Sequence, residues 1–358
     1  MTQTTVAIIG AGPIGLELAI SLGRQNIPYI LFEANQLGHE FSKWPPQTRF
    51  FSTPEHVALA GVPIHTPDQI ALTGEQYEAY LRMLCEMFAV NLRNYERITA
   101  VHKQPDGQFI LHSRTRTAAH QTRAQYVVFA TGGLTRPRPL HIPGEELPHV
   151  THYFPGPHKY FRTRLLVVGG KNSAMEAALR SWRAGVQVSL SYRRSALNFE
   201  RIKPHLAMDI GDRLEKGEIT FYPSTVPIEI TPSHVVLAST QEDGSPNGRV
   251  TRLPADFVVL ATGFEADMSL LAEAGVELVG EEQAPQHNPD TMETNIPGLF
   301  VAGTAAGGTQ IHKFKLFIST THHHVVNIVR TITGVEPTQV GTTTSRNTAA
   351  TYEEVKAN

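Results

Sequence analysis

Near the N terminus, Gly10-x-Gly12-x-x-Gly15 follows the apolar run Val6–Ile9 and opens a segment in which Leu16, Ala19, Ile20 and Leu22 recur at helical spacing. A short continuous apolar run, a glycine turn and an amphipathic helix read as a buried parallel strand feeding a helix. Gly10 permits the sharp turn, Gly12 lets a pyrophosphate approach backbone without a Cβ in the way, and Gly15 lets the helix pack closely on the strand. Glu33 stands 18 residues past Gly15, at the end of a second apolar run, Tyr29–Phe32. A carboxylate placed there accepts hydrogen bonds from a ribose diol. Together these features define a dinucleotide-binding unit of about 30 residues.

A second unit begins at Arg164. Leu165–Val168 is an apolar strand, followed by Gly169-Gly170-Lys171-Asn172-Ser173-Ala174, a helix from Ala174 to Arg183, a strand from Gln187 to Ser191, and Tyr192-Arg193-Arg194. Where the first unit ends in an acid, this one ends in two arginines. Guanidinium groups there suit a 2′-phosphate, so this domain should prefer NADPH over NADH. Lys171 replaces the middle glycine of the fingerprint, and its side chain must swing clear of the pyrophosphate or contact it as a cation. Two further apolar strands close in Ala130-Thr131-Gly132-Gly133 and Ala261-Thr262-Gly263. Each marks a strand meeting its ligand through a small hydroxyl and a glycine backbone.

The chain has 358 residues, 41% of them hydrophobic, which is enough for two cores. A net charge of −2 without long runs of Lys or Arg gives no electrostatic reason to expect nucleic acid or a membrane as partner. With no secretory signal pattern and no apolar stretch of about 18 residues, a cytoplasmic setting is expected. Cys85 is the single cysteine, so no intrachain disulfide, CxxC pair or cysteine-based zinc cluster can form. Its neighbours Leu84, Met87 and Phe88 suggest a buried structural thiol, on a helix spanning Thr73 to Asn94. Ile98–Val101, Phe109–Ser113 and Tyr126–Ala130 read as a small meander. Gly38–Thr53, with its Pro-Pro pair, reads as a long loop beside the first nucleotide site. There Lys43, Trp44, Phe50, Phe51, Ser52 and Thr53 could wrap a ring system and a ribityl chain, or the aromatics could plug the core.

The order of these units, with a return stretch from Thr294 to Gly303-Thr304, resembles the two-dinucleotide flavoproteins related to thioredoxin reductase. It is more closely similar to the bacillithiol-disulfide reductase family. The residues that carry this likeness are Phe50-Phe51-Ser52-Thr53-Pro54-Glu55 with Gly61-Val62-Pro63, His152-Tyr153-Phe154, Val167 to Ala174, and Ile202-Lys203-Pro204. The resemblance implies an α/β fold of two Rossmann-like domains: a three-layer ββα FAD domain with an NADPH domain inserted. The expected boundaries are 1–155 with 285–336 for FAD, 156–284 for NADPH, and a flexible C-terminal tail at 337–358. FAD would be held by Gly10, Gly12, Pro13, Ile14, Gly15, Glu33 and Ala34, by Lys43, Trp44, Phe51 and Ser52, and by Thr131, Gly132, Gly303 and Thr304. NADPH would be held by Gly169, Gly170, Lys171, Asn172, Ser173 and Ala174, by Arg193 and Arg194, and by Thr262 and Gly263. Relatives are commonly dimers, so a homodimer is expected.

The return stretch ends in Gly303-Thr304 where the thioredoxin reductase superfamily normally has Gly-Asp, a feature that adds to the closer likeness. The chain departs from that closer family at two places: the family's Phe-Ile-Glu-Asn-Gly stretch reads here as Phe317-Ile318-Ser319-Thr320-Thr321, and the family's proposed redox cysteine lies in the first glycine motif, where this chain has Ile14. Without a thiolate there, no protein nucleophile opens a disulfide by exchange. A helix from Phe317 to Ile332 would turn its N-terminus to the flavin, aided by Lys313 and Lys315. The consecutive His322, His323 and His324 point in different directions and cannot form one metal face, so no metal is expected. Lys315, His322 and His324 are the candidates for acid–base work. The expected reaction takes hydride from NADPH to flavin N5 and then electrons to a small-molecule or small redox-protein acceptor. By resemblance that acceptor is a low-molecular-weight thiol disulfide. The alternatives are a ferredoxin or quinone reductase, a flavin monooxygenase, although Phe154-Pro155-Gly156-Pro157-His158 places its histidine two residues too early for that motif, and a non-catalytic flavin-binding protein.

Overall fold

The computed structural model describes residues 1–241, 243–311 and 315–342. Lys313 and the closing residues 343–358 lie outside the described residues. The chain divides into two compact units, one formed by 1–42, 47–136 and the chain from Phe264 onward, the other by 43–46 and 137–263.

The first unit is built on a parallel sheet. β1 (Thr2–Ile9) lies between β2 (Tyr29–Phe32) and β6 (Ala119–Phe129), and β3 (Leu92–Arg93) extends the sheet beyond β2, all in parallel register. β6 is the pivot. Its first half pairs antiparallel with β5 (Phe109–Arg114), which pairs with β4 (Arg97–Lys103), while Val127–Phe129 pairs parallel with the return strand Leu299–Val301. One core therefore joins Ala7, Ile9, Ile30 and Phe32 of the parallel sheet to Val101, Phe109 and Leu111 of the meander. Helix α1 (Pro13–Arg24) covers the sheet, with α2 (Gly74–Met87) and the C-terminal helix His322–Thr333 beside it.

Several element bounds differ from the sequence reading. α2 begins at the expected Thr73 cap, where Thr73 and Gln76 exchange both bonds of a capping box, but it stops at Met87. Ala89 there takes a left-handed φ of 46°, which ends a helix, and the chain then enters β3. β6 starts at Ala119 instead of Tyr126 because residues 119–124 find partners on β5. The C-terminal helix starts at His322 instead of Phe317, since Thr320 and Thr321 turn their hydroxyls back on Phe317 and cap it as a turn.

The second unit holds a five-stranded parallel sheet in which β8 (Arg164–Val168) lies between β9 (Gln187–Tyr192) and β14 (Phe257–Leu260). β10 (Thr220–Pro223) and β7 (Val150–Thr151) are its edges. Helices α3 (Asn172–Arg183) and α4 (Pro204–Glu215) pack on it. β11 (Thr225–Ile230), β12 (His234–Thr240) and β13 (Pro246–Pro254) form a separate antiparallel sheet.

The unit boundaries fall at 136/137 and 263/264, not at 155/156 and 284/285. β7 pairs with β14, so 137–155 belongs to the second sheet, and Ala266, Met268, Leu271 and Val276 pack into the core of the first unit. Nor is the chain loose from 337: Gly341 and Gln339 are hydrogen bonded to the first unit. Among the described residues no helix is long and apolar enough to cross a membrane.

Candidate functional site

In the first unit the fingerprint folds as its residue types require. Gly10 has φ of 106°, and a Cβ there would lie 2.5 Å from the Ala130 carbonyl oxygen; a Cβ on Gly15 would lie 2.0 Å from the Gly10 carbonyl. A Cβ on Gly12 would meet nothing within 4 Å, so the cradle is open at that point. Gly12 is the N-cap of α1 and Pro13 its first residue, and no side chain caps this end. The first-turn N–H groups and the positive end of the helix dipole are thus available to an anion. The Glu33 carboxylate is anchored by the Ala11 N–H at 2.9 Å and the Asn35 N–H at 2.8 Å. A carboxylate has about four acceptor positions, which leaves two for a diol.

Parallel pairing of the return strand with β6 brings Thr131-Gly132-Gly133 beside Gly303-Thr304. Thr304 Oγ1 accepts the Gly133 N–H at 3.0 Å and keeps its proton to donate. Thr131 Oγ1 is buried with no partner among the described residues. An orphaned buried hydroxyl beside an open glycine cradle and an anchored carboxylate fits a dinucleotide with a polyhydroxyl chain. Ile14, 6% exposed, packs against Gly303, whose φ is 66°.

The loop at 38–53 does not act as a single wall. Phe50 joins a ring cluster with Phe41 and Tyr77, and Thr53 bonds to His56. Lys43 and Trp44 fall in the second unit, where the Lys43 ammonium lies 5.8 Å above the Tyr153 ring. Phe51 stays exposed and Ser52 is buried.

The second unit repeats the turn with different details. A Cβ on Gly169 would lie 2.5 Å from the Ala261 carbonyl, and one on Gly170 would strike the Tyr192 ring at 2.3 Å. Lys171, at the N-cap of α3, has φ of −119°, an extended conformation that needs no glycine. Asn172 Oδ1 accepts the Lys203 N–H, Ser173 is exposed at the helix start, and Ala174 is buried under Gly169. Thr262 is not left for a ligand: it donates to the Arg138 carbonyl at 2.9 Å, and the Gly263 carbonyl accepts the Arg138 N–H.

This brings in two cations that the sequence pattern missed. Partial burial lowers the Lys171 pKa, and the charges of Arg201, Arg138 and Arg193 lower it further. Arg193 and Arg194 are exposed and have no carboxylate partner among the described residues. Like charges near one another repel, and a bound anion relieves that repulsion. The available signal was positional: Arg138 follows the first unit, and Arg201 closes a short 3-10 turn just before Ile202-Lys203-Pro204.

The acid–base candidates go elsewhere. His324, 3% exposed, accepts the Gly303 N–H at Nδ1 over 3.1 Å. Burial, with the charges of His323 and His287, pulls its pKa down to about 3, so the ring stays a neutral acceptor. His322 Nδ1 lies 2.6 Å from Glu17 Oε2. Lys315 is exposed, with its N–H bonded to Gln310 Oε1. Among the described residues no group of three or more His, Cys, Asp or Glu side chains could hold a metal ion.

Two Rossmann-like units, each with a fingerprint turn and an open helix N-terminus, define a flavoprotein oxidoreductase of the two-dinucleotide class. Residues 7–303 match the family described as Pyridine nucleotide-disulphide oxidoreductase, and the chain belongs to that family, which implies binding of FAD and NAD(P)H. It is 30% identical over 324 residues to bacilliredoxin reductase Bdr of Bacillus subtilis strain 168, covering 90% of this chain and 96% of the relative. The structure of bacillithiol disulfide reductase Bdr (YpdA) from Bacillus cereus superposes with a TM-score of 0.85 at 31% identity, over 92% of this chain and 99% of that one. A ferredoxin–NADP reductase of Ignicoccus hospitalis is 26% identical over 302 residues, 83% of this chain and 88% of the relative.

Proposed function

We propose that this chain is an NADPH-dependent FAD oxidoreductase that reduces a low-molecular-weight disulfide of the bacillithiol disulfide type, without a protein thiol. The observation that supports the NADPH half is the exposed pair Arg193 and Arg194 just past β9, with Arg201, Arg138 and Arg193 adding positive charge at Lys171 of the second fingerprint. FAD, when bound, supplies the two-electron carrier between the pyridine nucleotide and the acceptor.

The chain's own residues bind, orient and exclude. Arg193 and Arg194 offer bidentate donors to a 2′-phosphate, and Lys171 a point charge to the pyrophosphate. The open N-terminus of α1 takes the FAD phosphates and Glu33 the adenosine ribose; Thr131 and Thr304 supply hydroxyls to the ribityl chain. Ile14 against Gly303 keeps water out where relatives of this type would carry a cysteine. Cys85 cannot stand in, because burial and the neighbouring Glu86 charge raise its pKa and hold it as a thiol. C85A should therefore turn over like the wild type in a steady-state assay. The same reading carries a cytoplasmic homodimer.

The replacement at Ile14 favours a second reading, a reductase of ferredoxin or a quinone, which needs no thiol chemistry; the ferredoxin–NADP reductase relative points the same way. An anaerobic titration of the purified holoprotein with NADPH and, in parallel, NADH tests the shared half. Rapid loss of flavin absorbance with NADPH alone is expected. No bleaching by either nucleotide, with FAD still bound, overturns the reading. Reoxidation by bacillithiol disulfide, a ferredoxin or a quinone then separates the two acceptors.

A further inference from the structure

One buried acid lies on α1 just past the fingerprint and touches no part of the nucleotide cradle. Glu17 is fully buried. Its Oε1 accepts two backbone N–H groups, from Ala60 and Gly341, each at 2.7 Å, and its Oε2 lies 2.6 Å from His322 Nδ1. The His56 backbone also favours the charged form of the ring. A charged ring at that distance forms an ion pair with Glu17, whereas a neutral ring leaves the carboxylate's charge without a counter-ion inside the protein. A buried carboxylate, in turn, persists only when it is paired and hydrogen bonded.

The same residues close a segment onto the unit. Arg24, two turns further along α1, donates to the Ala60 carbonyl at 2.8 Å and the Gln339 carbonyl at 3.1 Å. The Gly61 N–H donates to the Gly341 carbonyl at 2.8 Å, and a Cβ on Gly341 would lie 3.3 Å from the His322 ring. So the strap at 336–342, the turn at 58–61, α1 and the first turn of the C-terminal helix all meet at one carboxylate and one imidazole.

We propose that Glu17 and His322 form a proton-operated latch, which holds the 336–342 strap and the 58–61 turn on α1 while His322 carries its second proton and loosens both when that proton leaves. The other charged or titratable groups facing the pair are Arg24 on α1, Tyr77 and Tyr80 on α2, His56 on the turn before Ala58, and His323 beside it. Burial raises both tyrosines above their usual range, so they stay neutral, and burial lowers His323, which stays neutral where His322 is charged. Burial alone would lower His322, but the Glu17 hydrogen bond and charge, with the His56 backbone, raise it above 6.5. A folded-state value above the unfolded one stabilises fully below the unfolded value and is lost as pH rises through the folded one.

Hydrogen exchange of the full-length holoprotein, followed by mass spectrometry at peptides spanning 58–62 and 335–342, tests the latch whatever the acceptor. After correction for intrinsic exchange, wild-type protection of both peptides should be lost progressively as pH rises from about 6 to about 9. Peptides from β8 should not change. H322Q, whose amide still donates to Glu17 but does not titrate, should give a flat profile. E17Q should be flat too, with lower protection at every pH. A flat wild-type profile, or the same slope in H322Q, overturns the latch; should E17Q fail to fold, the wild type and H322Q still decide.

Discussion

Replacing Arg193 and Arg194 together by alanine will raise the KM for NADPH about 100-fold or more, leave kcat close to its starting value, and change the KM for NADH less than about threefold. Hydrogen bonds to charged groups contribute about 1.5–3 kcal/mol each, and every 1.4 kcal/mol is tenfold, so losing one bidentate phosphate contact accounts for such a factor. The effect falls on KM because a 2′-phosphate is far from the reacting atoms and is held equally in ground and transition states. It will shrink as salt is added, since both guanidinium groups stand at the surface of their unit. Stopped-flow flavin bleaching with each nucleotide reads all of this. Equal losses with NADPH and NADH would mean the arginines shape the turn instead of reading the phosphate. A wild type indifferent between the two nucleotides would remove the specificity altogether.

The two nucleotide units were legible because they depend on local backbone chemistry. Gly10, Gly15, Gly169 and Gly170 each stand where a side chain would strike a carbonyl or a ring, so the requirement is written at the residue itself. The Arg193-Arg194 pair stands where the sequence places it, just past the end of β9. What the sequence concealed is what topology assembles. Arg138 and Arg201 bring their charge to bear on Lys171 from more than 25 residues away in each direction, and no spacing rule predicts that. Lys43 and Trp44 precede the first-unit sheet strands β3–β6 yet join the second unit, because Pro46 offers its carbonyl to Arg180 of α3.

Histidines 322 and 324 illustrate the limit from the other side. Three imidazoles in a row advertise chemistry, but the fold gives two of them structural partners, one in Glu17 and one in the Gly303 N–H. Glu17 itself left a faint mark in the sequence. It is the single acid in a helix buried continuously from Ile14 to Leu22, and such a residue must find its partners inside the protein.

Alanine at Gly15 and alanine at Gly12 will separate folding from ligand binding within one motif. At Gly15 the new methyl would sit 2.0 Å from the Gly10 carbonyl oxygen and 3.3 Å from the Ala130 Cβ, so α1 must move off the strand. Overpacking costs about 1–3 kcal/mol where side chains can yield, and more where the obstacle is backbone, as here. A cost of about 3 kcal/mol lowers Tm by roughly 6–12 °C for a domain of this size. G15A should therefore be recovered in low yield, colourless and with a depressed melting temperature. At Gly12 the backbone has φ of −76°, which alanine adopts freely, and the methyl meets no protein atom within 4 Å. G12A should fold and melt within about 1 kcal/mol of the wild-type apoprotein, the usual cost of losing a glycine N-cap. It should nonetheless lose most of its flavin, because the methyl enters the space a pyrophosphate needs. The flavin-to-protein absorbance ratio and the apoprotein melt read both variants. Full flavin retention in G12A would move the phosphate site away from this turn, and a wild-type melt in G15A would show that α1 does not pack on β1 as closely as described.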